Sequence, residues 1–352
     1  MILDPDRLQR YRACVAGTVR WAYDNSDRIQ AEPDLQAHYK GLYFAASVGD
    51  MVLAARYAGI VRRMMRADGD FRTAETFKGF RQFPCSPPNQ YIYPNGWIIA
   101  GAQRLGAYDI AQAGLGFITS FQDPQHGGFY YTFDPATGQI DRSLMDSSST
   151  SSAGLAMLAC GRIDRAMRAG DFLLRLLEAQ PEPDRYFFSC MRADGTLETD
   201  VFDSEDKWDP RGRKQKCLSA EADAAEELTW LIGKPTKFLT RLYAATGEQR
   251  YLRGARTAFD FFGRLHENAW TNYASCKTMW AGAELYRLAG EARFAETAIR
   301  ILDFFAESQC ASGGWVHRLW YADESDQPFA ATADITLEFG GEISDAIFEL
   351  CQ

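Results

Sequence analysis

Five times along this chain a helical apolar run stops at one glycine and a second run starts at once. The stretches are "ASVGDMVLAARYAGIV", "QRLGAYDIAQAGLGFI", "LACGRIDRAMRAGDFL", "AATGEQRYLRGARTAF" and "RLAGEARFAETAIRIL", with Gly49, Gly106, Gly161, Gly247 and Gly290 at the breaks. Glycine just past a helix end adopts the left-handed backbone without a Cβ penalty. Each break therefore predicts a tight turn between two helices. Helices are expected before the turns at 33–48, 91–105, 146–160, 219–246 and 274–289, and after them at 50–66, 107–121, 162–179, 248–265 and 291–308. With 5–24 and 331–350 the total is twelve. The fold class that follows is all-α, an (α/α)6 toroid in which the helices before the glycines, and 331–350, form the inner ring. An open solenoid is the alternative. The even helix count and the lack of polar end caps favour closure. One domain over 1–352 is expected.

The remaining connections are long: 67–90, 122–145, 180–218, 266–273 and 309–330. Short turns then lie on one face of the ring and long loops on the other. Two loops begin alike, "SFQDPQHGGFYY" and "ESQCASGGWVHR", where Gly128 and Gly314 are expected to permit sharp turns. "FYYTFDPATGQI" and "YFFSCMRADGTLETDV" predict short β-hairpins on that face. Loops on a rigid scaffold carry function, so the elaborated face and the cavity below it are the expected site.

A net charge of −9 opposes a nucleic-acid partner, and the one basic cluster, "RGRKQK", adjoins the acidic "DSEDKWD". No basic segment followed by an apolar core opens the chain, and no window of eighteen apolar residues occurs, so a cytoplasmic protein with no membrane span is expected. The eight cysteines and four histidines are scattered without ligand spacing, so neither a metal nor a cofactor is expected.

The helix pairs and the ending "SQCASGGW" resemble the terpenoid-cyclase/protein-prenyltransferase α–α toroids, where the Gln-to-Trp spacing is similar to the QW repeat of squalene–hopene-type cyclases. "DPQHGGFY" is similar to a phrase of N-acylglucosamine 2-epimerase-like (α/α)6 enzymes. The first resemblance implies a cyclase; the second implies a carbohydrate enzyme. The first covers most of the chain by periodicity and is specific only at two repeat ends; the second rests on that one phrase. Against the cyclase pattern, the nearest text to a D-x-D-D acid is "DSED", Asp203 to Asp206, which reads as a solvated loop, and the aspartate-rich diphosphate motifs are absent. The histidine-centred chemistry of the 2-epimerases finds only His38 on an expected inner helix.

Polar and aromatic residues near the starts of the inner helices are the site candidates. His38, with a reference pKa near neutrality, is a candidate acid or base. Tyr39, Lys40 and Tyr43 share its helix. "NQYIYPNGWIIAG" brings Tyr91, Tyr93, Asn95 and Trp97 to the mouth for substrate contact. Asp146 or Ser147 is expected to cap its helix, and Asp146 is also a candidate catalytic group. Lys277 and Trp280 share a face at i, i+3. Asp334 and Glu338 stand at i, i+4, close enough for one to hold a proton, unless Lys277 pairs with them as a structural ion pair. Pro235 predicts a kink or break.

Three readings follow. The first is a cofactor-independent cyclase or isomerase that folds a small, largely apolar terpenoid or polyketide in the cavity. The second is a carbohydrate hydrolase, lyase or epimerase using a carboxylate pair. The third is a helical scaffold that binds a peptide. The sequence analysis favours the first.

Overall fold

The computed structural model describes residues 3–78, 90–200 and 218–352. The "DSED" and "RGRKQK" stretches lie outside them. Among the described residues are thirteen α-helices: α1 (Pro5–Asp24), α2 (Ser26–Ala31), α3 (Gly41–Val48), α4 (Met51–Met64), α5 (Tyr93–Arg104), α6 (Tyr108–Thr119), α7 (Ser147–Ala159), α8 (Ile163–Glu178), α9 (Trp230–Thr246), α10 (Gln249–Phe262), α11 (Cys276–Ala289), α12 (Ala292–Ser308) and α13 (Phe329–Cys351). Helices α3, α5, α7, α9, α11 and α13 pack side by side in that order, and α13 returns to α3, so the inner ring closes. Helices α4, α6, α8, α10, α12 and α1 back them from outside. This is an (α/α)6 toroid. All five turn glycines are left-handed, with φ of +73° or +74°. No helix here is long and apolar enough to cross a membrane.

Two long loops are pinned by the same device. Gln122 Nε2 donates to Gly127 O (3.0 Å) and to Arg165 O on α8 (2.9 Å); Gln309 Nε2 donates to Gly313 O (2.9 Å) and to Cys14 O on α1 (3.0 Å). The glutamine thus ties the loop to the next outer helix. The first glycine of each pair, not Gly128 or Gly314, has the positive φ, +78° at Gly127 and +90° at Gly313. A Cβ on Gly313 would stand 2.4 Å from Gly17 O, so the backbones touch there. The close glycine approach recurs without the glutamine in "RADGDF" after α4, where a Cβ on Gly69 would stand 2.3 Å from Ala113 O of α6.

Three expectations about elements need correction. Residues 219–229 are not helical. Ser219–Glu221 forms a strand, β5, and Asp223 and Glu226 hold positive φ, which ends helical geometry before Trp230. Helix α9 then runs unbroken through Pro235. The segment 33–40 holds only a single-turn 3-10 helix at Leu35–Ala37, started by Asp34 accepting from Gln36 N. The "FYYTFDPATGQI" hairpin forms as β1 (Tyr130–Asp134) with β2 (Gln139–Asp146). The second expected hairpin forms in a short version about Gly195: Met191 bridges Leu197 antiparallel, Arg192 N donates to Thr196 O and Glu198 N donates to Cys190 O. Its first arm is divided at Ser189 into β3 (Tyr186–Phe188), which pairs with β5, and β4 (Cys190–Arg192), which pairs with β2; Ser189 N donates to Leu218 O and Ser189 O accepts from Ser147 N.

Candidate active site

The inner ring encloses a cavity of about 780 Å³. Its wall runs down to Ser47, Ala159, Ala244, Ala245 and Ser344, in the last turns of the inner helices or C-terminal to mid-helix, so it extends toward the short-turn face. Toward the long-loop face the lumen narrows to a compartment of about 40 Å³ walled by Tyr39, Trp230, Tyr273, His317 and Phe339. The expected order is therefore reversed for the larger space. Bulky rings fill the helix starts, while alanine and serine at the helix ends leave room. Tyr93, Lys234 and Lys277 line both compartments.

Between α9 and α13, α11 contributes an ion pair to each. Lys277 bonds Glu338 and Glu342 of α13. Lys40, at the start of α3, bonds Asp334 (2.5 Å) and Glu338. Three carboxylates thus meet two ammonium groups, and Gln36 Nε2 adds a neutral donor to Asp334 (3.2 Å). On the other side, Glu284 of α11 forms ion pairs with Lys237 Nζ (2.7 Å) and Arg241 Nε (2.7 Å) of α9. Lys237, Glu284 and Glu342 are completely buried. The ligand atoms of Cys276, Glu338 and Glu342 lie within 4.8 Å of one another, a spacing that could hold a metal ion. Lys277 already bonds both carboxylates, and burial pushes the Cys276 thiol up to about 12, so a cation there has to displace the lysine from a trio with a protonated thiol.

Most of the residues expected at the site reach the lumen. Trp97 and Trp280 stack across it (6.1 Å between centroids, 27°), with Tyr43 edge-on to both. Tyr93 lies edge-on to Trp97 and Tyr39. Lys277, Asp334 and Glu338 join the first ion-pair cluster. Three residues do not line either compartment. His38 is fully buried, its Nε2 2.8 Å from Glu32 O, and burial depresses its pKa. Asn95 donates to Asp70 (2.9 Å), within a buried knot of Asp70, Lys78, Arg72 and Tyr91 that fixes the loop after α4. Asp146 caps α7 by accepting from Ser148 N (3.0 Å) and Ser149 N (3.1 Å). Burial raises its pKa, against those bonds and the charge of Lys234. Asp146 thus takes the capping role expected of it, His38 follows a 3-10 turn where a helix was expected, and the rotation of α5 turns Asn95 away from the lumen.

The site also holds Lys234, Lys237, Arg241, Glu284 and His317, none of them expected from the sequence. The signal for the first three was there: i, i+3, i+7 spacing puts them on one face of a helix already assigned to the inner ring. Lys234 is the unusual one. Its Nζ lies 3.9 Å from the Tyr93 ring centroid, and no carboxylate among the described residues forms an ion pair with it. Burial first, then Lys277 and Lys40, hold its pKa well below the usual lysine value, against the pull of Asp146.

The buried lysines give the molecule a pH signature. Burial pulls Lys237 and Lys78 down to about 8, against Glu284 and Asp70 respectively. The unfolded chain holds these protons up to about 10.5, so between the two values it binds more protons than the folded chain. These two lysines therefore contribute stability that grows from about pH 8 toward pH 10, opposed by the buried thiols of Cys14 and Cys276, pushed up to about 12, and by the tyrosines, whose protons the unfolded chain gives up first. Subtracting the denaturant-midpoint profile of a Lys78→Met, Lys237→Met protein from that of the parent isolates the lysine contribution; a difference that is flat or falls from pH 8 to pH 10 contradicts it.

No protein-family model matches the chain, and no curated protein does. Solved structures match over nearly its full length. D-mannose isomerase aligns with a TM-score of 0.66 at 10% identity over 96% of this chain and 97% of that one. An α-mannanase of family GH76 from Bacteroides thetaiotaomicron aligns at 0.62 with 12% identity over 95% of each chain. Cellobiose 2-epimerase from Bacillus thermoamylovorans aligns at 0.57 with 10% identity over 88% of this chain and 89% of that one. All three are enzymes, in line with the expectation of an enzyme. Of the two resemblances, the one to epimerase-like (α/α)6 enzymes agrees with these matches and the one to terpenoid cyclases does not. The reading as a cyclase of apolar terpenoids or polyketides is withdrawn. Those matches are carbohydrate enzymes, and a lumen crossed by buried ion pairs is ill suited to an apolar substrate.

Proposed function

We propose that the chain is a carbohydrate-active enzyme of the isomerase or epimerase type, acting on a sugar bound in the lumen. The observation that carries this reading is the make-up of the wall. Aromatic faces (Tyr43, Tyr93, Trp97, Trp280) alternate with charged donors and acceptors (Lys234, Lys277, Asp345) in a cavity of about 780 Å³. A sugar presents the complementary surface, apolar C–H faces edged by hydroxyls. The names of the fold's solved relatives agree with that substrate class.

The reaction type rests on proton transfer. Lys234 lines both compartments, and burial with the charges of Lys277 and Lys40 favours its free amine, the form that accepts a proton. Glycoside hydrolysis asks for two carboxyl groups free to flank a glycosidic oxygen. Asp334 and Glu338 are engaged by Lys40 and Lys277 instead. Trp97 and Trp280 position the ring, Tyr93 offers a hydroxyl, and Lys277 orients the carboxylates of α13.

The test is incubation with free aldoses, ketoses and reducing disaccharides in deuterated water, followed by NMR. Interconversion with deuterium entering at C2 is expected, unaffected by a chelator. Release of new reducing ends from mannan or aryl glycosides without C2 exchange would overturn the isomerase type in favour of a hydrolase.

A further inference from the structure

We propose that Lys234 is a covalent residue, its Nζ capturing the open-chain carbonyl of a sugar as an imine; the sugar as substrate rests on the reading above. Five lysines lie among the described residues, and four have a carboxylate partner: Lys40 with Asp334, Lys78 with Asp70, Lys237 with Glu284 and Lys277 with Glu342. Lys234 has none there, although it is only 8% exposed. Its amine stands instead over the Tyr93 ring, with Trp230 behind it (5.4 Å to the centroid), on the wall shared by both compartments. An aldehyde entering the wide cavity therefore meets this nitrogen at the neck of the lumen.

The groups around it favour the free amine, which is the nucleophilic form. Lys277 on α11 and Lys40 on α3 repel an ammonium there, and burial disfavours it further. Asp146 at the start of α7 is the opposing charge, and Cys276 on α11 adds a weaker pull. Tyr93 on α5 stays a neutral phenol, its pKa raised by burial and by Asp334 and Glu342. A desolvated lysine beside other cations is one of the recognised ways in which an amine is activated toward carbonyls.

The step balances without a redox partner. The nitrogen lone pair attacks C1, and the carbonyl π pair moves to oxygen. Both nitrogen protons leave with that oxygen as water, and a C=N bond remains. Protonation of the imine makes the C2–H acidic, which is the bond an isomerase or 2-epimerase must break. Hydrolysis returns the water and frees Lys234.

The experiment is reductive trapping. The folded protein is incubated with D-mannose or D-glucose and sodium cyanoborohydride, digested, and the adduct located by mass spectrometry. One adduct at Lys234 is expected, with none at that peptide in Lys234→Arg or Lys234→Met; circular dichroism establishes that each variant is folded. Trapping at Lys234 should persist at neutral pH, where exposed lysines react poorly. Absence of a Lys234 adduct in folded protein, or equal labelling of every lysine, overturns the proposal. C2 exchange without an adduct also overturns it and leaves the sugar-isomerase reading standing. An adduct without C2 exchange supports capture by Lys234 and overturns the isomerase reading instead.

Discussion

Glu284→Gln should lower the stability of the folded chain by about 3–5 kcal/mol at neutral pH, the range for removing one partner of a buried ion pair. Glu284 and Lys237 are both completely buried, 2.7 Å apart, where α9 packs on α11. Without the carboxylate, the lysine either stays charged in a low-dielectric site or gives up its proton. The second route limits the loss, since Lys237 is already depressed to about 8. The loss should therefore shrink as pH approaches 10, where the lysine is neutral in the folded state anyway. Arg241 and Arg287, which also touch Glu284, are more than a quarter exposed and can turn to water, so they add little. A double change of Lys237 and Glu284 to methionine should recover most of the loss, because apolar residues of similar volume replace a buried pair at small net cost. Chemical denaturation with an unchanged slope reads out all three. A Glu284→Gln protein with the parent midpoint at pH 7 would show that the pair contributes nothing.

Lys277→Met should be as severe as Glu284→Gln, whereas Glu338→Gln should be mild. The difference is a matter of charge count. Asp334, Glu338 and Glu342 share Lys40 and Lys277. Removing Lys277 leaves three carboxylates on one ammonium in a buried site, a loss of about 3–5 kcal/mol. Neutralising Glu338 leaves two carboxylates on two ammonium groups, each lysine keeping a partner. That change sacrifices charge-assisted hydrogen bonds of about 1–3 kcal/mol and relieves repulsion among the carboxylates. Because Glu338→Gln is expected to fold, its turnover can be read directly. A large fall in kcat with little change in melting would give Glu338 a role in the chemistry of the lumen. A parent-like kcat would leave it as a positioning residue for Lys40 and Lys277. A Glu338→Gln protein that melts as early as Lys277→Met would refute the charge count.

The fold was legible because its determinants are local. A helix end that needs a left-handed residue shows as glycine, and five such ends set hairpins, ring order and the division into inner and outer helices. The Gln and Gly-Gly phrases were legible as repeated, but their purpose was not. Gln122 and Gln309 reach carbonyls on helices about 43 and 295 residues away in sequence, and only the closed ring brings those together. The strand exchange at Ser189 and the loss of helix over 219–229 were likewise long-range decisions, taken by pairing partners rather than by propensity.

For the site, spacing along one helix was reliable and everything between helices was not. The Asp334–Glu338 spacing placed both carboxylates on one face of α13, as i, i+4 geometry requires. Which lysine each would meet, and that Asn95 would turn to Asp70 and away from the lumen, depended on helix rotation and on neighbours in other elements; His38 met Glu32, six residues back, because 33–40 holds a 3-10 turn where a helix was expected. The size of the lumen at each end depended on six helices at once. Sequence periodicity thus determined the toroid and the membership of its inner ring, because backbone hydrogen bonding and turn sterics act over a few residues. Tertiary packing alone decided that the wide cavity extends toward the short-turn face and that Lys234 stands in it without a carboxylate partner among the described residues, because charge pairing and residual volume are properties of surfaces brought together by the whole ring.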